Sequence, residues 1–189
     1  MQGEAWLVRH GETEWSRDRR HTSFSDLPLT DRGVEAAEQL RGRLAGRAFD
    51  RVLTSPLQRA RRTAEIAGFA APLVREDLVE WHYGDYEGVT NDEIRASVPG
   101  WTVWTHPTPG GESPEQVTAR IDRVVEEIRS GEDRVLVFGH GHALRALTAR
   151  WLGLPVSEGR LFRLDTTTVS VLGYERETPV ILRWNSEPC

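Results

Sequence analysis

Short apolar runs alternate with longer amphipathic stretches along this chain. Trp6 to Val8, Val52 to Leu53 and Val135 to Phe138 are unbroken apolar runs. They are too brief for helices and lack the period-two alternation of a half-solvated strand, so they read as strands buried on both faces. Between them, apolar residues recur every three or four positions. Val34, Ala37, Leu40 and Leu44 form one such stripe, Leu57, Ala60, Ala64 and Ala67 a second, and Leu144, Leu147, Trp151 and Leu152 a third. Each marks one buried helix face. A fourth stripe, Val117, Ile121, Val124, Val125 and Ile128, is followed by Gly131, where a left-handed helix stop is expected. Ser55-Pro56 with Gln58, Thr90 with Glu93, and Ser113-Pro114 with Gln116 each set a cap hydroxyl three residues before Glu or Gln, which predicts three helix starts. The β-rich runs Thr168 to Leu172 and Val180 to Leu182 suit edge or antiparallel strands. Helices covering short, doubly buried strands give a three-layer α/β/α sandwich with a mostly parallel mixed sheet. With no repeat, low-complexity tract or charge block, residues 1–189 are expected to form a single domain.

Composition narrows the chemistry. A domain of 189 residues buries roughly 70% of its unfolded surface, enough to fold without disulfides or a structural metal. The one cysteine, Cys189, cannot form an intramolecular bridge or a metal cluster. A formal charge of −5 argues against a nucleic-acid or anionic-membrane surface, which needs a broad positive field. All 24 cationic residues are arginine. A codon or surface bias accounts for that, yet it removes a phosphate-loop lysine and a lysine Schiff base from consideration. The apolar run Ala5 to Val8 is far shorter than a secretory or membrane-spanning segment, so a cytoplasmic protein is expected.

Two of the buried-strand candidates end alike: Val8 leads into Arg9-His10-Gly11, and Phe138 into Gly139-His140-Gly141. Ligands of open α/β sheets bind outside the carboxyl ends of strands, so both imidazoles should enter one crevice. The run Val52 to Thr54 exits into Ser55-Pro56 and delivers Arg59 at the start of its helix. Guanidinium forks match phosphate oxygens and stay charged at working pH, so this set suits a phosphoryl group. The same cations should keep His10 neutral and nucleophilic. A leaving alkoxide also needs a proton. The segment Leu78 to Gly88 offers Glu80 and Glu87 among Trp81, Tyr83 and Tyr86, and a partly desolvated carboxyl there could serve as general acid. Spacing does not choose between the two glutamates.

The run Leu7-Val8-Arg9-His10-Gly11-Glu12-Thr13 closely resembles the opening signature of the histidine phosphatase superfamily, also called the phosphoglycerate mutase-like family. The resemblance continues through Leu29 to Gly33, Thr54 to Ala60, Glu80 to Gly88 and Phe138 to Gly141, spanning about residues 6 to 145. It implies that His10 takes the phosphoryl group as a phosphohistidine while Arg9, Arg59 and His140 hold its oxygens. It also implies that Glu80 serves as general acid and then base, Glu87 being structural. The positions expected to meet the substrate are Ser16, His21, Thr22, Tyr83, Gly141 and His142, whereas His82 and His106 are expected to be structural or surface residues. Two departures weaken the carry-over of substrate contacts: Ser16 stands where the family usually has Asn, and Arg20-His21-Thr22-Ser23 where it has a glycine-bearing loop. The run Glu80 to Gly88 looks like the small-phosphatase branch.

The resulting expectation is a phosphomonoesterase acting on a small phosphorylated metabolite, a sugar phosphate among the candidates, with no cofactor, no metal, no nucleic acid and no membrane partner. A homodimer is the form of self-association left open. The nearest alternative is a phosphoglycerate mutase or other phosphomutase, using the same His10 chemistry but excluding water. Mutases of the family are generally longer and carry a basic residue for the substrate carboxylate. A non-catalytic phospholigand-binding protein is a second alternative. A metallohydrolase built on His10, His21, His140 and His142 is a third, although no helical His-Glu-x-x-His pair is present.

Overall fold

The computed structural model describes residues 3–186; Cys189 lies outside the described residues. Its centre is a six-stranded sheet of order β3-β2-β4-β1-β5-β6. The strands are β1 (Glu4–Arg9), β2 (Arg51–Thr54), β3 (Leu73–Val74), β4 (Arg134–Gly139), β5 (Val169–Glu175) and β6 (Thr178–Ser186). Strands β3, β2, β4 and β1 run parallel, β5 is antiparallel to β1, and β6 is antiparallel to β5. The late runs are therefore the antiparallel additions that their composition suggested.

Alternate side chains of the central strands enter two different cores. Leu7, Val135 and Val137 pack with Val117, Ile121, Val124, Leu144, Leu147 and Trp151 on one face. Trp6, Val8, Leu136 and Phe138 pack with Leu40, Leu44, Ala64 and Ala67 on the other. Helices α5 (Pro114–Arg129) and α6 (Gly141–Trp151) thus cover one side, and α2 (Asp31–Leu44) and α3 (Gln58–Ile66) the other. That arrangement is the three-layer α/β/α sandwich, and it explains why the strand runs are apolar throughout. Two short helices, α1 (Glu14–Arg17) and α4 (Asn91–Ser97), lie in the connections.

Thr90 with Glu93 and Ser113 with Gln116 form the expected capping boxes of α4 and α5. The Ser55 box does not form. Helix α3 begins at Gln58 after Leu57, with no side-chain cap. Instead, the Ser55 hydroxyl accepts from the Leu57 N–H at 3.3 Å and stands 2.7 Å from His140 Nε2, so it serves the centre of the molecule. A box not expected, Thr13 with Ser16, caps α1. In the first turn of α2, Gly33 rather than Val34 faces inward, because a Cβ at Gly33 would lie 2.3 Å from the Glu12 carbonyl oxygen. That close approach locks α2 against the chain leaving β1. Trp101 and Trp104 are 1% and 7% exposed and belong to the core.

Candidate active site

His10 emerges at the end of β1, and its N–H donates to the Gly139 carbonyl at 2.9 Å, extending the parallel β1–β4 ladder by one bond. That bond brings the two strand exits together, with the His10 and His140 ring centroids 5.2 Å apart. His10 Nδ1 lies 2.7 Å from the Gly11 carbonyl oxygen. A carbonyl only accepts, so Nδ1 carries the proton and Nε2 keeps its lone pair. Burial, reinforced by the charges of Arg59 and Arg9, holds the imidazole well below its usual titration range. His10 is therefore neutral, with its nucleophilic nitrogen fixed.

Arg59 is fully buried on the first turn of α3 and is held from all sides. Its Nη1 donates to the Ser25 carbonyl at 2.9 Å, and Nη2 to those of Ser23 at 2.9 Å and Thr22 at 3.2 Å. Its Nε donates to His140 Nδ1 at 3.1 Å. An arginine has no lone pair to offer, so His140 must accept at Nδ1 and carry its proton on Nε2, which donates to Ser55 Oγ. Burial and then Arg59 push His140 well below the usual range as well. Glu87 anchors the far end of this chain, accepting from the Ser23 N–H at 2.9 Å, the Ser23 hydroxyl at 2.5 Å and the Ser25 N–H at 3.1 Å. Its contacts are those of a structural residue.

Glu80 sits at the N-terminus of α6, where its carboxylate accepts three main-chain N–H bonds: Trp81 at 2.9 Å, Ala143 at 2.8 Å and His142 at 3.0 Å. Oriented amides and the helix dipole favour anions at such a position. Gly141 opens the same helix. A Cβ there would stand 3.3 Å from the Arg9 guanidinium, so glycine lets Arg9 lie flat against the helix start. Arg9 Nη1 donates to the Leu164 carbonyl at 2.7 Å, while its buried Nε has no partner among the described residues.

These groups meet at a pocket of about 360 Å³. Arg9, His10, Ser16, His21, Thr22, Glu80, Tyr83, Gly141 and His142, all expected from the sequence, line it. Arg59 and His140 do not line it but stand behind His10. Ser16 gives its hydroxyl to the Thr13 carbonyl at 3.0 Å within the capping box of α1, and Thr22 gives its own to the Arg20 carbonyl at 3.1 Å. The Tyr83 hydroxyl is 2.5 Å from His142 Nδ1. Burial raises the phenol well above its usual range and lowers His142 well below, so Tyr83 donates and His142 turns a protonated Nε2 outward from that bond. His21 donates from Nδ1 to the Val89 carbonyl at 2.7 Å and stacks edge-on against Tyr83 and Trp101. His82 instead stacks on exposed Phe24, and His106 bonds to Thr105, both away from the pocket. Sequence reasoning missed Arg19, Arg20, Asn91, Arg145, Arg163, Leu164 and Asp165 in the lining. For Arg145 a signal existed: it follows His142 by three positions on one helix, hence on the same face. Among the described residues, no group of three or more His, Cys, Asp or Glu is placed to hold a metal ion. No helix among them is long and apolar enough to cross a membrane.

The arrangement offers a fixed imidazole lone pair, arginine guanidiniums and a carboxylate around one cavity, with the buried Arg59 behind them, which is the equipment of phosphoryl transfer. Comparison with known proteins agrees. A curated acid phosphatase of Mycobacterium tuberculosis is 45% identical over 175 residues, covering 89% of this chain and 85% of that protein. The sedoheptulose 1,7-bisphosphatase of Saccharomyces cerevisiae is 34% identical over 187 residues, covering 80% of this chain and 68% of its own. The solved structure of the open reading frame Rv3214 from Mycobacterium tuberculosis superposes with a TM-score of 0.94 at 38% identity, covering 100% of both chains. The family model for the histidine phosphatase superfamily, branch 1, matches residues 5–187, and the chain belongs to that superfamily.

Proposed function

We propose that the chain is a phosphomonoesterase of small phosphorylated metabolites that works through a phosphohistidine on His10, without a metal. His10 Nε2 attacks phosphorus, the P–O bond to the leaving group breaks, and Glu80, which must first take up a proton beside the incoming phosphate ester, gives that proton to the departing oxygen. In the second half, Glu80 takes a proton from water as that water attacks the phosphohistidine, which releases inorganic phosphate and restores His10. Arg9 faces the transferring oxygens, while the His142 and Ala143 amides hold Glu80 beside them. Arg59 and His140 act from behind, one by charge and by fixing the loop at residues 22–25, the other as the neutral link between Arg59 and Ser55. We propose further that residues 1–189 form one catalytic domain and that it acts in the cytoplasm.

The observation that carries this reading is the Gly11 carbonyl on His10 Nδ1, because it leaves Nε2 as the one nucleophilic nitrogen of a ring kept neutral by its neighbours. The phosphatase and bisphosphatase relatives support a small phosphorylated metabolite as substrate. Glu80→Gln tests the acid. The variant should lose about 10²–10⁴-fold in kcat on an alkyl phosphate yet retain phosphorylation of His10 by p-nitrophenyl phosphate, whose leaving group needs no proton. Equal losses in the rate of His10 phosphorylation by both substrates would assign the proton to another group. Assaying phosphoglycerate interconversion alongside phosphate release separates hydrolysis from mutase activity: efficient interconversion with negligible release would overturn the phosphatase reading.

A further inference from the structure

His10 and His140 ride on strand ends, but residues 79–83, which carry Glu80, lie in neither helix nor strand. No backbone ladder fixes them. Two charged residues outside the catalytic pocket hold them instead: Glu112, in the loop before α5, and Arg120, on α5 and 7% exposed. The pair is a complete fork, with Arg120 Nε donating to one Glu112 carboxylate oxygen at 2.7 Å and Nη2 to the other at 2.9 Å.

What the pair touches brackets Glu80. Upstream, Arg120 Nη1 donates to the carbonyls of Asp77 and Val79, each at 2.9 Å. Downstream, the Glu112 carboxylate accepts from the His82 N–H at 2.9 Å, the Glu112 N–H donates to the His82 carbonyl at 2.9 Å, and the Glu112 carbonyl accepts from the Trp81 indole N–H at 3.1 Å. Gly111 permits this approach, because a Cβ there would lie 2.2 Å from the His82 carbonyl oxygen. Attraction within a buried ion pair is largely offset by desolvation, so such a pair adds little net stability; what a guanidinium fork supplies is direction. Proton transfer to a leaving oxygen depends steeply on direction, since a misplacement of about 1 Å can cost roughly a hundredfold in rate.

We propose that Glu112 and Arg120 are positioning residues for the proton transfer: together they fix the main chain on both sides of Glu80, and through it the reach of the Glu80 carboxyl to the departing oxygen. This inference rests on the phosphatase reading above and deepens it. Neither residue touches the substrate. The amides of α6 hold the carboxylate end of Glu80 and the pair holds its main-chain end, so losing the pair shifts the carboxyl while leaving the attachments of His10 and Arg9 untouched.

The experiment compares kcat/KM for p-nitrophenyl phosphate, whose leaving group needs no proton, with that for phenyl phosphate and glycerol 3-phosphate, whose leaving groups do. For these esters kcat/KM reports the steps up to release of the alcohol, hence the phosphorylation of His10. In Glu112→Gln the two poor leaving groups should lose roughly tenfold to a hundredfold more than p-nitrophenyl phosphate. Arg120→Lys, which keeps the charge but not the fork, should show a smaller skew in the same direction. Both substitutions are mild, and because each ratio is taken within one enzyme preparation, partial misfolding cancels. Added to Glu80→Gln, Glu112→Gln should change the ratio by no more than about twofold, because the acid it positions is already gone. Ratios within about twofold of wild type in both single variants overturn the inference, as does a full skew that persists in the Glu80→Gln background. Those results leave the phosphatase reading standing. Equal losses on all three esters in Glu80→Gln alone would instead remove the acid assignment, and no hydrolysis of any ester by the wild type would remove the phosphatase reading; either takes this inference with it.

Discussion

Acidification probes the two neutral imidazoles at the heart of the site. His10 and His140 are 5% and 0% exposed, and both are held well below the usual histidine range, first by burial and then by Arg59. Protonating His140 at Nδ1 would turn the 3.1 Å bond from Arg59 Nε into a contact between two cations. In the unfolded chain these rings take up a proton as the pH falls through about 6.5, while the folded rings do not. The unfolded state thus binds more protons, and stability falls with pH from that point until the folded values are reached. Between pH 7.5 and 5.5 each ring should cost about 1.4 kcal/mol, and the pair about 3 kcal/mol. Urea unfolding at both pH values, on wild type and on His10→Gln and His140→Gln, isolates these contributions. Carboxylates and other titrating groups contribute equally to all three proteins and cancel in the difference. Glutamine at 140 can still accept from Arg59 and donate to Ser55, which limits other losses. Each variant should show a pH-dependent loss smaller than wild type by about 1.4 kcal/mol. Identical losses in all three proteins would refute the claim that the rings are held neutral.

Two further outcomes follow from packing. Glu87→Ala strips the acceptor from Ser23 and Ser25, whose carbonyls hold Arg59, and should cost about 2–4 kcal/mol in urea unfolding together with a fall in kcat. Unchanged stability and kcat would mean that the loop holds itself. In Gly33→Ala, helix propensity gains about 1 kcal/mol, but a Cβ 2.3 Å from the Glu12 carbonyl oxygen must displace backbone, so a net loss of about 1–2 kcal/mol is expected. A higher melting temperature would show that α2 shifts freely.

Much of the architecture was legible because burial on both faces leaves an unmistakable trace. The runs at Trp6, Val52 and Val135 read as inner strands, and their exits lead to His10, Arg59 and His140. Strand β3 left no such trace, being two residues long with Leu73 and Val74 47% and 44% exposed at the sheet edge. Ser55 misled because its pattern is that of a cap, whereas its hydroxyl is claimed by His140, a partner 85 positions away. The same limit applies to Arg59. Its sequence context suggested a phosphate clamp, and the bonds to the carbonyls at 22, 23 and 25 that fix its orientation come from a distant loop that local pattern does not encode. Glu80 and Glu87 were indistinguishable by spacing. The fold separates them by where their hydrogen bonds go, one to the start of α6 beside the pocket and the other into the loop behind it. Arg163 and Asp165 lie in a turn-rich segment whose approach to the pocket depends on β5 pairing with β1, a long-range contact that local pattern does not encode.

The central claim, attack by His10 Nε2, is tested most directly by quenching turnover of a ³²P-labelled monoester and mapping the label on the protein. The account predicts an acid-labile, alkali-stable phosphoryl group on Nε2 of His10, absent from His10→Ala. An acid-stable adduct, one on another residue, or one undiminished in that variant would contradict it.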